Sequence, residues 1–326
     1  MAIVLILDEK DVAGLLSMSE ALAAVKAAFA AQAAGEISMP LRTIAAGDRG
    51  VLGAMPGALA GKTAALGAKL VTLFPSNAEL GLHTHNAIIA LFDPRTGRPA
   101  AVMDGRYITE IRTAATSALA TSLLARSDAR TLAILGTGVQ ARAHIDALAL
   151  VMQVDELRIW GRSPENAAAL AAFAKGRGLR SQVSQSVATA CRGADVVCTV
   201  TLAREPILTR ADIDAGTHLN AVGFGGPNSR EVSGELLAQV KIFIDSADGA
   251  ARESGNLLLA RKDGHLSADQ NLTLLSDVLA GRAPGRQSPD EITLFDSLGI
   301  AIEDLACARL VFERALAQRV GTSVDF

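Results

Sequence analysis

Apolar residues follow two different rhythms along the chain. Residues 19–34 carry small and apolar side chains all round a helical spacing, with Ser19-Glu20 as a start signal. Residues 67–74 and 87–92 are apolar runs of strand length, the second closed by the turn sequence Asp93-Pro94-Arg95-Thr96-Gly97. This first third predicts an α+β region. From about residue 130 short apolar runs, at 131–135, 156–160, 194–200, 218–222 and 241–245, alternate with helical stretches. That alternation predicts a doubly wound parallel sheet, the Rossmann-type α/β class. Residues 109–126 predict a helix joining the two regions, and 305–316 an amphipathic helix near the end. Periodicity leaves open whether that last helix returns to the first domain.

Composition narrows the classes. With 326 residues, half of them hydrophobic, the chain has ample material for a core in about two domains. Its 31 basic and 34 acidic residues give a net charge of −3, and one Trp, one Tyr and nine Phe provide no basic surface interleaved with stacking aromatics. Nucleic acid is therefore not an expected partner. The three cysteines, Cys191, Cys198 and Cys307, form no Cys-x-x-Cys pair, which points to reduced packing thiols and a cytoplasmic setting. The apolar start is broken at once by Asp8, Glu9 and Lys10, and no run reaches the roughly 18 apolar residues of a membrane span, so neither a signal peptide nor a membrane partner is expected.

The clearest chemistry follows the run 131–135: Gly136-Thr137-Gly138-Val139-Gln140-Ala141, a G-x-G-x-x-A fingerprint between a strand and a helix. Gly136 suits the tight turn, Gly138 the close approach of a pyrophosphate, and Ala141 the packing of helix on strand, with Val139 and Gln140 opening the helix. The next strand ends in Trp160-Gly161-Arg162-Ser163, where an NAD site carries an acidic residue for the ribose. No carboxylate stands there. Arg162 offers a fork for a 2′-phosphate and Ser163 a further donor, which predicts NADP(H) as the preferred cofactor with NAD(H) also possible.

Outside that region three cations occupy apolar settings: Arg42 after Met39-Pro40-Leu41, Lys69 within Gly67-Ala68-Lys69-Leu70, and Arg112 within Ile111-Arg112-Thr113. Burying such charges is costly without an anionic partner, so they are candidates for binding an anionic substrate or the pyrophosphate; each alone also reads as a surface charge on a snorkelling stem. His83 and His85, two apart on a strand, have no further histidine cluster beside them, and no metal site is expected. Asp104, Glu110, Glu303 and Asp304 read as capping or salt-bridge residues, Asp304 with a possible place at the domain junction.

Together with Ala101-Val102-Met103-Asp104-Gly105, Asn220-Ala221-Val222-Gly223 and Ser297-Leu298-Gly299-Ile300-Ala301-Ile302-Glu303-Asp304, these segments resemble the ornithine cyclodeaminase/mu-crystallin family along nearly the whole chain. The resemblance implies a homodimer with a substrate-binding and dimerisation domain, residues 1–113 and 305–326, around an NADP-binding domain, residues 114–304. It implies that Lys69, Arg42 and Arg112 surround a substrate carboxylate and that Thr113 contributes to phosphate binding. Thr199, Val200 and Thr201 would line the cofactor channel, and Val222, Gly223, Ser297, Leu298 and Gly299 the nicotinamide end. Two departures from the cyclodeaminases stand out. Glycine, Gly225, replaces their acidic residue after the Asn-Ala-Val-Gly strand, and Met55 stands at or near the glutamate that holds a distal amine. The Leu52-Gly53-Ala54-Met55-Pro56 segment and Pro227, Arg230 and Glu231 look more like mu-crystallin and the ketimine reductases. The implied reaction is NAD(P)H-dependent reduction of 1-pyrroline-2-carboxylate or 1-piperideine-2-carboxylate to a cyclic amino acid, with Lys69 as carboxylate ligand and proton source and His85 as a second candidate donor. The alternatives are an ornithine cyclodeaminase, an alanine dehydrogenase, and a binding protein without turnover.

Overall fold

The first sheet comprises β1 (Ile3–Leu7), β2 (Ile37–Ser38), β3 (Thr43–Ala46), β4 (Val51–Leu59), β5 (Ala65–Leu73), β6 (His85–Phe92), β7 (Pro99–Asp104) and a last strand, Thr322–Asp325, with buried and more exposed residues alternating along the central strands β4 to β7. The computed structural model describes residues 3–223 and 226–325; Gly225, the departure from the cyclodeaminases, lies outside them. The strand order is Thr322–Asp325, β1, β7, β6, β5, β4, β2, with β3 also on β4 and every pair antiparallel except β1 with β7. Register lines up Met55, Lys69, Ile89 and Met103 across β4 to β7, and all four are buried.

Helix Ala301–Gln318 covers that buried face, packing on β4, β5 and β6 and against helix Met18–Ala33. Gly57 and Gly67, paired across β4 and β5, make room for it: a Cβ on either would lie 3.2 or 3.0 Å from a Leu305 methyl. Ser17, rather than Ser19, opens helix Met18–Ala33, its amide donating to Glu20 Oε2 at 2.9 Å in a capping box.

The second sheet comprises β8 (Thr131–Leu135), β9 (Glu156–Trp160), β10 (Ser181–Val183), β11 (Val196–Thr199), β12 (His218–Ala221), β13 (Lys241–Ile244), β14 (Leu272–Leu274) and β15 (Thr293–Asp296). All pairs are parallel, in the order β10-β9-β8-β11-β12-β15-β13-β14. Strands β11, β12 and β15 are buried throughout, as expected of parallel strands with both faces covered.

By contacts the chain forms two units, Met1–Thr113 with Gly299–Phe326, and Ala114–Leu298. The return to the first unit thus begins at Gly299, ahead of the expected residue 305. The reason is electrostatic: Glu303 and Asp304, in the first turn of Ala301–Gln318, are ion-paired to Lys69 and Arg112 of the first unit.

Candidate active site

In the first unit the expected cations meet. Lys69 is 2% exposed, and its Nζ lies 2.6 Å from Asp304 Oδ2. Arg112, from helix Arg106–Leu124, donates through Nε to Asp304 Oδ1 at 2.9 Å and through Nη1 to Glu303 Oε2 at 2.6 Å. Arg42 Nη2 donates to the Gly299 carbonyl at 2.9 Å. Gly299 has φ of 72°, and a Cβ there would lie 2.4 Å from Arg112 Nη1, so glycine is what allows both guanidinium groups to approach one peptide. Asp304, a candidate for the domain junction, spends both oxygens inside the first unit. Asp104 caps helix Arg106–Leu124 by accepting from the Tyr107 amide at 2.9 Å.

The field here is positive. Burial, the Arg112 charge and, more weakly, Arg42 bring the Lys69 pKa down to about 8, against the pull of Asp304. Burial and then the charges of Lys69 and Arg112 push half-buried His85 down to about 4, leaving it the neutral imidazole and not the acidic imidazolium at pH 7. Burial works against the charge on Arg112, but Asp304 and Glu303 more than offset it. Burial likewise raises Glu303, with Asp304 adding to it. Asp304 is lowered because Arg112 and Lys69 outweigh its own burial.

Met55, directly opposite Lys69 on β4, is 4% exposed and sets an apolar thioether beside that lysine's strand position. Thr113 departs from expectation in detail. Its hydroxyl donates to the Thr109 carbonyl at 2.6 Å, one helical turn back, so the proton a phosphate would need is already committed.

The second unit holds the residues expected around a nucleotide. Gly136, at φ of 130°, donates its amide to the Trp160 carbonyl at 2.9 Å, and a Cβ there would lie 2.6 Å from the Val200 carbonyl oxygen. Gly138 is the N-cap of helix Val139–Leu148, and a Cβ there would meet no atom within 4 Å, which leaves the helix N-terminus open to an anion. Val139 is exposed and Ala141 fully buried, facing the core. At Gly161 a Cβ would strike Thr137 at 2.5 Å; Arg162 beside it is exposed, and Ser163 caps the next helix by accepting from the Asn166 amide at 3.2 Å.

Beyond β8 the strand ends lie in register. The Val200 amide donates to Leu135, Val222 to Thr199 and Ser297 to Ala221, at 2.9 to 3.0 Å. The Leu298 amide donates to buried Asp245 at 2.7 Å. Gly299, expected with these residues, belongs to the other unit. Ser297 Oγ and Gln140 Oε1 are buried and have no hydrogen-bond partner among the described residues. Open amides at Gly138 and unsatisfied polar atoms at these positions suit a bound dinucleotide. Sequence reasoning named Glu231 only within the Pro227, Arg230 and Glu231 pattern and gave it no role, whereas here it gathers Thr199, Thr201 and Gly223; it did not single out His144, which bridges the Gln140 carbonyl and Ser117. Their partners are remote or backbone groups and leave no local signal.

Comparison with known proteins agrees with this arrangement. The chain is 40% identical over 294 residues, 90% of each protein, to the ketimine reductase mu-crystallin of Mus musculus. It superposes on Thermococcus litoralis Δ1-pyrroline-2-carboxylate reductase, solved with NADH and L-proline, at a TM-score of 0.95 and 37% identity, covering 98% of this chain and all of that one. An archaeal alanine dehydrogenase dimer with bound NAD gives a TM-score of 0.95 and 36% identity over the whole of both chains. The family model for ornithine cyclodeaminase and mu-crystallin matches residues 4–319. The chain belongs to the ornithine cyclodeaminase/mu-crystallin family.

Proposed function

We propose that the protein is an oxidoreductase that reduces a cyclic imine carboxylate, 1-pyrroline-2-carboxylate or 1-piperideine-2-carboxylate, to the cyclic amino acid. The observation that carries this reading is the convergence of Lys69, Arg112 and Arg42 about Asp304, Glu303 and Gly299, a buried and positive setting for an α-carboxylate. Bound NAD(P)H supplies the hydride. Lys69 and the guanidinium groups hold the carboxylate and so fix the imine carbon, and the Lys69 ammonium, easily deprotonated with a pKa of about 8, gives a proton to the imine nitrogen. Met55 beside Lys69 fits a ring without a distal ammonium. The relatives named for cyclic imine reduction support the same chemistry.

The full-length match to an archaeal alanine dehydrogenase favours a second reading, reductive amination of pyruvate. One assay separates the possibilities. NADPH or NADH is mixed with each cyclic imine or with pyruvate and ammonia, and NAD with ornithine, following the reduced-nicotinamide absorbance. Rapid oxidation with an imine alone is expected. Turnover only with pyruvate, or ammonia and proline from ornithine, would replace the proposal, as would cofactor binding with no turnover of any substrate.

Preference for NADPH rests on exposed Arg162 and the lack of a carboxylate at residues 160–163. Arg162→Ala is expected to weaken NADPH binding about 10- to 100-fold and to leave NADH nearly unchanged, since hydrogen bonds to charged groups contribute about 1.5–3 kcal/mol. An unaltered ratio in equilibrium titrations would refute the preference.

The homodimer is proposed through the outer face of the first sheet. Leu52, Leu66, Leu70, Ile88 and Phe92 project there, each 36–47% exposed, with Ala54, Ala68 and Ala90 between them. A continuous apolar face of this kind is characteristic of an interface. Ile88→Glu is expected to give a folded monomer by sedimentation; a dimer that persists would place the interface elsewhere.

A further inference from the structure

Glu231 lies in the second unit, with none of its surface exposed. Its Oε1 accepts from the Thr201 amide at 2.7 Å and the Thr201 hydroxyl at 2.6 Å, and its Oε2 from the Thr199 hydroxyl at 2.6 Å and the Gly223 amide at 2.8 Å. The main chain is held as firmly: the amides of Glu231 and Val232 donate to Asn256 Oδ1 at 3.0 and 3.2 Å, and Asn256 Nδ2 donates to Asp296 at 2.8 Å. A Cβ at Gly223 would lie 2.3 Å from the Glu231 carboxyl carbon, so only glycine lets the carboxylate reach beneath this loop.

Each carboxyl oxygen faces a backbone amide, a donor that cannot turn round, and both oxygens must therefore accept. That requirement selects the anion over the neutral acid. Burial raises the pKa of Glu231, and the four hydrogen bonds pull the other way. No Lys or Arg among the described residues pairs with this charge. The neighbouring Cys198 thiol, held at about 12 by burial and by the Glu231 charge, stays protonated.

In a doubly wound sheet a dinucleotide crosses the C-terminal strand ends where the strand order reverses. Here the reversal falls between β8 and β11, with the glycine turn after β8 and Arg162 after β9. The nicotinamide half accordingly belongs over the ends of β11 and β12, whose loops, residues 199–201 and 222–223, are the ones Glu231 ties together. Resting on the nicotinamide reading above, we infer that Glu231 is a positioning residue that sets the redox balance of the bound cofactor: it fixes both loops and places a buried negative charge beneath them, favouring the oxidised, cationic ring over the reduced, neutral one.

The test is equilibrium binding of NADP+ and of NADPH to the full chain by calorimetry. Glu231→Gln is expected to shift the ratio of the two affinities by about threefold or more toward the reduced form. Thr201→Val removes one hydrogen bond and keeps the charge, so the ratio stays within about twofold even if both affinities fall. An unchanged ratio in Glu231→Gln, or an equal shift in Thr201→Val, overturns the inference. If Glu231→Gln does not fold, Thr199→Val/Thr201→Val decides. With two donors lost, less opposes the burial that raises its pKa, so the carboxylate takes up a proton more readily as pH falls, and the ratio moves toward the reduced form. A ratio there that ignores pH overturns the inference equally. Asp296, the other buried acid of the network, is unchanged in every variant. Failure of the unaltered protein to bind either form would reject the cofactor reading itself.

Discussion

Lys69→Met is expected to lower kcat/KM for the cyclic imine by about a thousandfold or more, with cofactor affinity nearly unchanged. The methionine fills similar volume among Met55 and Ile89 and leaves Asp304 its hydrogen bond to Arg112, so the fold survives. What disappears is the ammonium proposed to orient the carboxylate and to deliver a proton, roles that each contribute about two orders of magnitude or more. The pH dependence carries a sign of its own. With a pKa brought down to about 8, Lys69 is protonated below that value and loses its proton above it, so kcat/KM should decline as pH rises past about 8. Lys69→Arg keeps the charge and abolishes that titration, removing the alkaline decline from whatever activity remains. The same decline in Lys69→Arg would assign it to the substrate or cofactor and take the proton-donor role from Lys69.

The sequence signals that proved reliable were those carried by neighbours in the chain. Thr131–Leu135 and Glu156–Trp160 have the predicted bounds because each is a short strand-like run, apolar in the first and alternating charged and apolar in the second, stopped by glycine, and the turn at Gly136 follows from local backbone demands. Strand β15 was unreadable: two of its four residues, Thr293 and Asp296, are polar, yet both are buried. Thr293 donates to the Leu124 carbonyl at 3.1 Å, and Asp296 accepts from Ser254 and Asn256. The candidate site divides in the same way. Cations in apolar runs announced themselves as Lys69 and Arg112, because a lone buried charge is anomalous on its face. Their partners did not, since acids in the first turn of a helix ordinarily serve the helix dipole in solvent. Only the fold reveals that Asp304 meets Arg112 across 192 residues of sequence.

That pairing makes Arg112→Met the substitution with the largest expected effect on stability, a loss of about 3–5 kcal/mol in urea unfolding, because it strips a buried ion cluster of its central cation. Asp304 retains Lys69, whereas Glu303 loses the guanidinium at 2.6 Å and keeps its burial. The Glu303 pKa is raised even with Arg112 in place, burial being the dominant cause. Such a group favours the folded state below its unfolded pKa, and that contribution is lost as pH rises through the folded value. The penalty in Arg112→Met should therefore be largest at neutral pH, and Glu303→Gln in the same chain should recover a good part of it. Asp304 behaves oppositely. Its pKa is lowered because Arg112 and Lys69 together outweigh burial, so the stability it contributes is present above its ordinary value of 3.8 and is lost as pH falls through the lowered one. Removing Arg112 weakens that depression and should move acid unfolding to higher pH. Equal stability for Arg112→Met and Arg112→Met/Glu303→Gln at neutral pH would mean that burial of Glu303 carries no ionisation penalty once Arg112 is gone, and that the loss in Arg112→Met comes from Asp304 and from packing instead.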